Sequence, residues 1–368
     1  MRVALLTPTL EMGGVERVFV NLANGFYQRG IETDLVAGTT AGSMGAFLDG
    51  NIPMFDLASS HMIRSVPKLA KYLRHRRPDA LIAAMTHSTA AAVAARTIAQ
   101  VKTRILATEH NTMSKVVANT PGLKYRLMPL WSRQALGSAD AIVAVSRGVA
   151  NDLSTQTGIA RENIQVIYNP VITDALHKAA AAPVEHSWFK PYGLPVVLSV
   201  GRLDKQKDFP MLVRAFANVH QRFAARLMIL GDGPDRPRVE RAVAELRLQE
   251  SVAMPGFEQN PYRFMARSAV FASSSDWEGF GVALVEAMAL GMSVVSTNCT
   301  HGPAEILCHG KFGALVPVGD HEAMAQALLL ALKSSAHEDR TAHLEQFTVQ
   351  KVVSEYLSLI ASKKYATG

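Results

Sequence analysis

The chain has 368 residues, more than one hydrophobic core usually serves, so two domains are the default expectation. Apolar residues make up 48% and charged residues 19%, a balance that excludes disordered and fibrous classes. The net charge of +7 lies wholly in the first half: residues 1–180 hold 19 Lys/Arg against 12 Asp/Glu, and the rest holds 19 of each.

The opening MRVALLTPTL reads as a first β-strand rather than a signal peptide. No apolar run reaches the roughly eighteen residues of a transmembrane helix. Cys299 and Cys308 belong to no metal or redox motif, which fits a reducing cytosol.

Strand-like runs at Val3–Thr7, Thr33–Val36, Ala80–Ala84, Arg104–Thr108, Ala141–Val145 and Ile164–Ile167 alternate with helical runs at 15–28, 66–76, 87–100, 122–137 and 147–157. That rhythm predicts a doubly wound parallel sheet. Gly13-Gly14-Val15-Glu16 stands at its first strand-to-helix junction. Glycine there permits φ > 0 and close approach of a ligand, although Gly-Gly alone usually marks a tight turn.

The stretch 64–77 carries Arg64, Lys68, Lys71, Arg74, Arg76 and Arg77 with no acid, and Val66, Leu69, Tyr72 and Leu73 approximate an apolar face. One reading is a surface helix with solvated charges. The other is docking to anionic lipid, at about 1 kcal/mol per basic residue. Nucleic acid is a poor third partner, because no aromatic platform or reader motif accompanies the charge.

Thr108-Glu109-His110-Asn111 follows a strand, and strand ends in open α/β sheets point at the ligand crevice. A single histidine there is more often structural. Glu109 either fixes its tautomer or is a surface charge.

Residues 173–194 read as a loose connection between domains. A second βαβ series follows: Val196–Val200, helix 209–222, strand 226–230, helix 235–247, strand 269–273, helix 282–290 and strand 293–296, with helical runs 320–334 and 348–361 closing the chain.

Three segments of this half carry candidate chemistry. Arg202 and Lys207 follow the Val196–Val200 strand, where a guanidinium and an ammonium suit phosphate oxygens; Lys205 reads as a solvated charge. Leu230-Gly231-Asp232-Gly233-Pro234 is a strand–turn–helix junction serving mainly as architecture, with Asp232 a possible helix cap. Residues 273–291, SSSDWEGFGVALVEAMALG, place Glu278 and Glu286 about a loop-to-helix junction. One continuous helix would separate the two by about 12 Å, but the glycines make that unfavourable. Free N–H groups at the helix start favour a phosphate, and flanking carboxylates accept from hydroxyls, an arrangement suited to a nucleotide sugar. Val285, Ala287, Met288 and Leu290 bury the helix, so a carboxylate at Glu286 needs partners.

The string E-G-F-G-x-x-x-x-E-A-M-A-x-G at 278–291 resembles, without a gap, the Glu-x7-Glu signature of the retaining glycosyltransferases of family 4. The likeness spans nearly the whole chain and is strongest over 196–306. It implies the GT-B fold, an α/β architecture of two Rossmann-like doubly wound domains facing a central cleft. The domains would be 1–172 on the acceptor side and 195–348 on the nucleotide-sugar donor side, joined by 173–194, with helix 349–364 crossing back onto the first.

The resemblance implies roles residue by residue. Arg202 and Lys207 match the basic pair of G-R-x-x-x-x-K and would hold and stabilise the departing diphosphate. Glu278 would meet donor-sugar hydroxyls, and Glu286 both ribose hydroxyls. The backbone of Phe280, Gly281 and Val282 would meet phosphate or sugar oxygens. Pro255-Gly256-Phe257 would pass around the nucleobase, with Glu258 a weaker candidate. Gly14 would face the donor diphosphate, and His110 would lie near the anomeric carbon. Thr300–Ile306 resembles the family's G-G-x-x-E-I loop, but His301 replaces a glycine, which puts the loop's shape in doubt.

The expected activity is transfer, with retention of configuration, from a nucleoside-diphosphate sugar to a hydroxyl of a glycan or lipid-linked acceptor. The family's frequency favours UDP, with guanosine open. A polyprenyl-diphosphate-linked glycan bound for surface polysaccharide or lipopolysaccharide fits the basic first half, and the motifs equally allow a soluble acceptor. With no Asp-x-Asp and no compact His/Cys/carboxylate cluster, neither a metal nor another cofactor is expected. The expected location is the cytoplasm, peripheral on the inner membrane. The alternatives are a sugar-nucleotide epimerase of the same fold and a non-catalytic nucleotide-sugar-binding partner.

Overall fold

A computed structural model of the protein describes residues 1–362 apart from Met12, Ser60, Tyr192 and 335–337. The chain forms two compact units, Met1–Val171 with the segment from Gln346 onward, and Ile172–Glu345.

The first unit is built on β1 (Arg2–Thr7), β2 (Glu32–Ala37), β3 (Met54–Asp56), β4 (Ala80–Ala84), β5 (Arg104–Glu109), β6 (Ala141–Ala144) and β7 (Ile164–Val166), in the order β3-β2-β1-β4-β5-β6-β7. Every pair is parallel. β1 and β4 are buried at nearly every position because helices cover both faces, which is why they read as unbroken apolar runs. Strand order reverses between β1 and β4, and the chain there winds outward in both directions. The carboxyl ends at such a point open into a crevice.

The terminal helix Val349–Ala361 belongs to this unit. It buries Val349, Val352, Val353 and Tyr356, and packs on helix Gly14–Gln28 through an edge contact of Tyr356 with Phe26. Gly25 makes this approach possible: a Cβ there would lie 2.2 Å from Val349 Cγ1. Arg104 ties the far end, donating to the Ser362 carbonyl at 2.8 Å. Positions 363–364 of the expected helix lie outside the described residues.

The second unit carries β8 (Val196–Val200), β9 (Arg226–Leu230), β10 (Val252–Gly256), β11 (Val270–Ser273), β12 (Ser293–Thr297) and β13 (Ala314–Val316), in the order β10-β9-β8-β11-β12-β13 and again parallel. The reversal lies between β8 and β11, so the loops leaving these two strands are neighbours. Leu227, Ile229, Val270 and Val295 pack against Phe209, Leu212 and Phe216 of helix Phe209–His220.

Two expectations are corrected. Residues 173–194 are not a loose connection throughout. Asp174–Ala180 is a helix capped by Thr173, whose hydroxyl accepts from the Leu176 N–H. It belongs to the second unit, where Asn260 Nδ2 donates to Ala179 O (2.9 Å) and Arg267 to Ala180 O (3.1 Å). The expected helix 122–137 is two pieces, Leu123–Arg126 and Met128–Gly137, preceded by a third helix at Met113–Asn119.

Candidate functional site

In the second unit the loop after β8 and the loop after β11 meet. Lys207 Nζ lies 2.5 Å from Glu278 Oε1, and Ser275 Oγ donates to the same oxygen at 2.7 Å. Their backbones are laced together. Ser274 Oγ donates to Lys207 O (2.6 Å), Gln206 Nε2 to Trp277 O (2.8 Å), and Asp276 N to Gln206 O (2.8 Å). Glu278 is buried, so its charge needs these donors. Burial pulls the Lys207 ammonium down, but the charge and hydrogen bond of Glu278, with Asp204, outweigh it and leave its pKa raised. Lys207 is therefore a fixed cation at the carboxyl end of β8.

Arg202 stands on the same loop, exposed and without a side-chain hydrogen bond among the described residues. Its loop is held from behind by the Gly231–Gly233 turn. Leu203 N donates to Asp232 O, and a Cβ on Gly233 would lie 2.3 Å from Leu203 O. Asp232 caps no helix; its carboxylate accepts from the adjacent Gly233 N–H. Lys205 is exposed.

Helix Val282–Ala289 starts from Gly281 at φ 105°, and no side chain caps it. The N–H groups of Val282 and Ala283 thus have no side-chain cap, on the loop that also carries Glu278. Glu286 sits one turn further on, buried, and accepts from the Tyr262 hydroxyl at 2.8 Å. The loop after β12 braces the junction: Glu278 N donates to Thr300 O, and Gly302 presses so close that a Cβ would lie 1.9 Å from Phe280 O. His301, where the family has glycine, takes the left-handed conformation itself at φ 68°. The loop keeps a glycine-like path at a cost of about 1 kcal/mol.

Phe257 projects from the loop after β10 with 58% of its surface exposed. Glu258 is engaged locally, pairing with Arg263 at 3.0 Å and accepting from Asn260 N.

In the first unit, Gly13 is extended at φ −157° and Gly14 opens the helix, so neither uses the positive φ that glycine allows. Gly14 has no heavy atom within 4 Å of where a Cβ would stand, leaving its backbone accessible. His110 follows β5, buried, 5.8 Å from the Phe19 ring. The Thr108 hydroxyl donates its one hydrogen to Ala83 O at 2.9 Å and lies 3.1 Å from His110 Nε2. Only an Nε2–H tautomer makes both contacts hydrogen bonds; the reverse would set Thr108 Oγ1 against Ala83 O, lone pair to lone pair. Nδ1 is then the acceptor. Thr108→Val should release this tautomer while Thr108→Ser keeps it, as read from the ring ¹⁵N shifts of His110. Identical spectra for all three proteins would refute the assignment.

Glu109 points away from His110 and binds helix Met85–Ala99, accepting from the Thr86 hydroxyl at 2.5 Å and from the Thr86 N–H. Burial pushes its carboxyl up from 4.5 to about 7 and pushes His110 down from 6.5 to about 4. The two shifts act on stability with opposite signs. The Glu109 contribution is full below its unfolded pKa of 4.5 and is lost as pH rises through about 7. The His110 contribution is full above 6.5 and is lost as pH falls through about 4. Glu109→Gln should therefore leave a urea midpoint that climbs with pH from 4 to 6.5 more steeply than that of the wild type. A variant midpoint parallel to wild type would sink this account.

The basic stretch is helix Met62–Arg76, with Val66, Leu69, Tyr72 and Leu73 buried and Arg64, Lys68, Lys71, Arg74 and Arg77 exposed. Arg76 is corrected as a membrane-contact candidate. Its guanidinium forks onto buried Asp34 at 2.7 and 2.9 Å, where the Tyr72 hydroxyl also donates at 2.8 Å. Arg74 is partly engaged, donating to Ile98 O.

Residues 12–175 match the family model described as Glycosyltransferase Family 4, and 185–345 the model described as Glycosyl transferases group 1. The chain belongs to the family 4 glycosyltransferases. It is an enzyme of the transferase class with the GT-B architecture of two Rossmann-like units. It is 34% identical over 195 residues to the N-acetylgalactosamine-N,N'-diacetylbacillosaminyl-diphospho-undecaprenol 4-alpha-N-acetylgalactosaminyltransferase of Campylobacter jejuni, covering 53% of this chain and 51% of that one. The chain thus spans about half the length of this relative. It is 27% identical over 369 residues to the lipopolysaccharide core biosynthesis glycosyltransferase LpsE of Rhizobium meliloti, covering 95% and 96%. Among solved structures, Anabaena HepE in complex with UDP and glucose superposes with a TM-score of 0.79 at 20% identity over 98% of this chain and 99% of that one. The lipopolysaccharide outer core galactosyltransferase WaaB does so at 0.72, with 21% identity over 99% and 100%. At these identities the structures establish the fold alone.

Tyr262 has no counterpart among the residues the sequence pointed to, and Thr108 stood in the segment leading to His110 without a role of its own. Each holds a candidate side chain, and no local pattern distinguishes that task.

Proposed function

We propose that this glycosyltransferase moves a sugar, with retention, from a UDP-sugar to a hydroxyl of a lipid-linked glycan in surface-polysaccharide assembly, without a metal. The observation that carries the donor half is the fixed Lys207–Glu278 pair beside exposed Arg202 and the uncapped helix at Val282. Three sources of positive potential converge where a diphosphate would leave, and a carboxylate stands next to them for sugar hydroxyls. Arg202 and Lys207 would then do the work that a divalent ion does in other transferases.

In this reading Glu286 accepts from the ribose, Phe257 and the backbone around it flank the base, and His110 Nδ1 accepts from a hydroxyl near the reacting carbon. The acceptor oxygen bonds to the anomeric carbon on the face from which the diphosphate departs. The C–O bond to phosphate breaks with its electron pair leaving on UDP, and the acceptor proton passes to a phosphate oxygen. Support for a lipid-linked acceptor comes from the Campylobacter relative, named for a diphospho-undecaprenol substrate, and from the basic first unit. A peripheral position on the inner membrane follows from the same reading.

The test is transfer in EDTA from UDP-sugars to a polyprenyl-diphosphate glycan, with the product's anomeric configuration read by NMR. An inverted product, or activity lost in EDTA and restored by manganese, would overturn the corresponding part. Free UDP with an epimerised sugar and no acceptor added would point to an epimerase instead.

A further inference from the structure

The segment after His110 carries a feature that the donor chemistry does not use. Helices Leu123–Arg126 and Met128–Gly137 join through a single turn at Leu127, with Leu127 N on Leu123 O at 3.0 Å and Trp131 N on Leu127 O at 3.4 Å. Along this nearly continuous helix Leu123, Leu127 and Leu130 stand at i, i+4 and i+7, one stripe. A stripe so spaced normally faces the core. Here it faces outward: the three leucines are 70%, 45% and 68% exposed, while Ser132 and Leu136 on the opposite side are fully buried. Lys124 flanks the stripe on one side and Arg126 and Arg133 on the other, all exposed, and no acid occurs between Glu109 and Asp140.

We propose that this leucine stripe is the membrane-docking surface of the enzyme, the leucines entering an anionic bilayer and the flanking bases resting on its headgroups. Two features of the patch select this occupant. Three outward leucines ringed by cations, with no acid, match an apolar interior beneath a negative surface. Helix Met62–Arg76 supplies exposed charge but only one strongly exposed large apolar side chain, Ile63, so it can assist attraction but offers little to insert. The stripe lies in the same crossover segment that begins at β5 and His110, with helix Met113–Asn119 between them, and docking here would bring a lipid-linked acceptor to the unit that carries His110. That consequence rests on the acceptor reading above; the docking itself does not.

The experiment is flotation of the full chain with phosphatidylglycerol/phosphatidylcholine vesicles and with pure phosphatidylcholine vesicles. It compares wild type, the triple variant Leu123→Ser/Leu127→Ser/Leu130→Ser, and Lys124→Gln/Arg126→Gln/Arg133→Gln. Wild type should partition onto the anionic vesicles and less onto the neutral ones. The leucine variant should lose roughly tenfold or more of that affinity. The charge variant should lose the preference for anionic lipid. Trp131, beside the stripe, should be quenched by spin-labelled lipid in wild type and not in the leucine variant. Serine at exposed positions leaves the fold intact, checked by unchanged UDP binding and unchanged transfer to a soluble glycan acceptor. That control separates failure of docking from failure of the glycosyltransferase reading. Absence of wild-type binding, or binding indifferent to the leucines, would overturn the proposal. So would a self-associated wild type that the leucine variant renders monomeric, since the stripe would then be covered by a second copy.

Discussion

Lys207→Ala is expected to lower transfer by about 10² to 10³-fold, the scale seen when one preorganised charge-stabilising group is removed from an active site. Two losses combine. The diphosphate loses its fixed cation at the end of β8, and Glu278 loses its counter-ion while still buried and accepting from Ser275. A buried carboxylate stripped of its counter-ion is destabilised where it stands, so the geometry that offers it to sugar hydroxyls is lost with the same substitution. Removing Glu278 alone leaves Lys207 without the carboxylate that raises its pKa against burial. The two side chains therefore act as a unit. The double variant Lys207→Ala/Glu278→Ala should be little worse than the worse single variant, a strongly non-additive cycle. Additive losses in kcat would mean that the two groups act on separate steps, and the pairing would be only structural.

That pairing was not legible in the chain, although both residues were. Arg202 to Lys207 and Glu278 to Glu286 announce themselves because each motif is local: strand, polar loop, helix start. What brings Lys207 to Glu278 is the adjacency of β8 and β11, a property of sheet order. The strands β8 and β9 were readable to the residue because both lie inside the sheet and are predominantly apolar. The edge strands β3, β10 and β13 were not. They are three to five residues long, and Pro255 and Gly256 in β10 read as turn signals. Proline is tolerated there because an edge strand need not donate on its open side. Leu123, Leu127 and Leu130 show the opposite failure, since their period gave the helix but not the direction of its apolar face. Helix Asp174–Ala180 was hidden by an alanine run before Pro183, and its last carbonyls accept from Asn260 and Arg267, contacts that no local pattern reveals.

Glu286→Ala should weaken UDP binding by about 10- to 100-fold in a calorimetric titration without metal, the range for losing hydrogen bonds to a charged acceptor. Glu286 is held ready for that task. It is buried in helix Val282–Ala289, and Tyr262 donates to one of its oxygens at 2.8 Å. Tyr262 stands on helix Tyr262–Met265, which is in turn tied to helix Asp174–Ala180. Tyr262→Phe removes the hydroxyl but keeps the ring, so it should cost UDP affinity severalfold without abolishing it, by loosening the carboxylate rather than deleting it. The order wild type, Tyr262→Phe, Glu286→Ala is the signature of a positioned acceptor. GDP and ADP, titrated beside UDP, decide the base: tight binding of one nucleotide alone, lost in Glu286→Ala, fixes both the ribose contact and the donor pool. If UDP bound Glu286→Ala as tightly as wild type, the carboxylate would be a buried structural group satisfied by Tyr262, and the ribose would have to be held elsewhere along the carboxyl edge of the β8–β11 sheet.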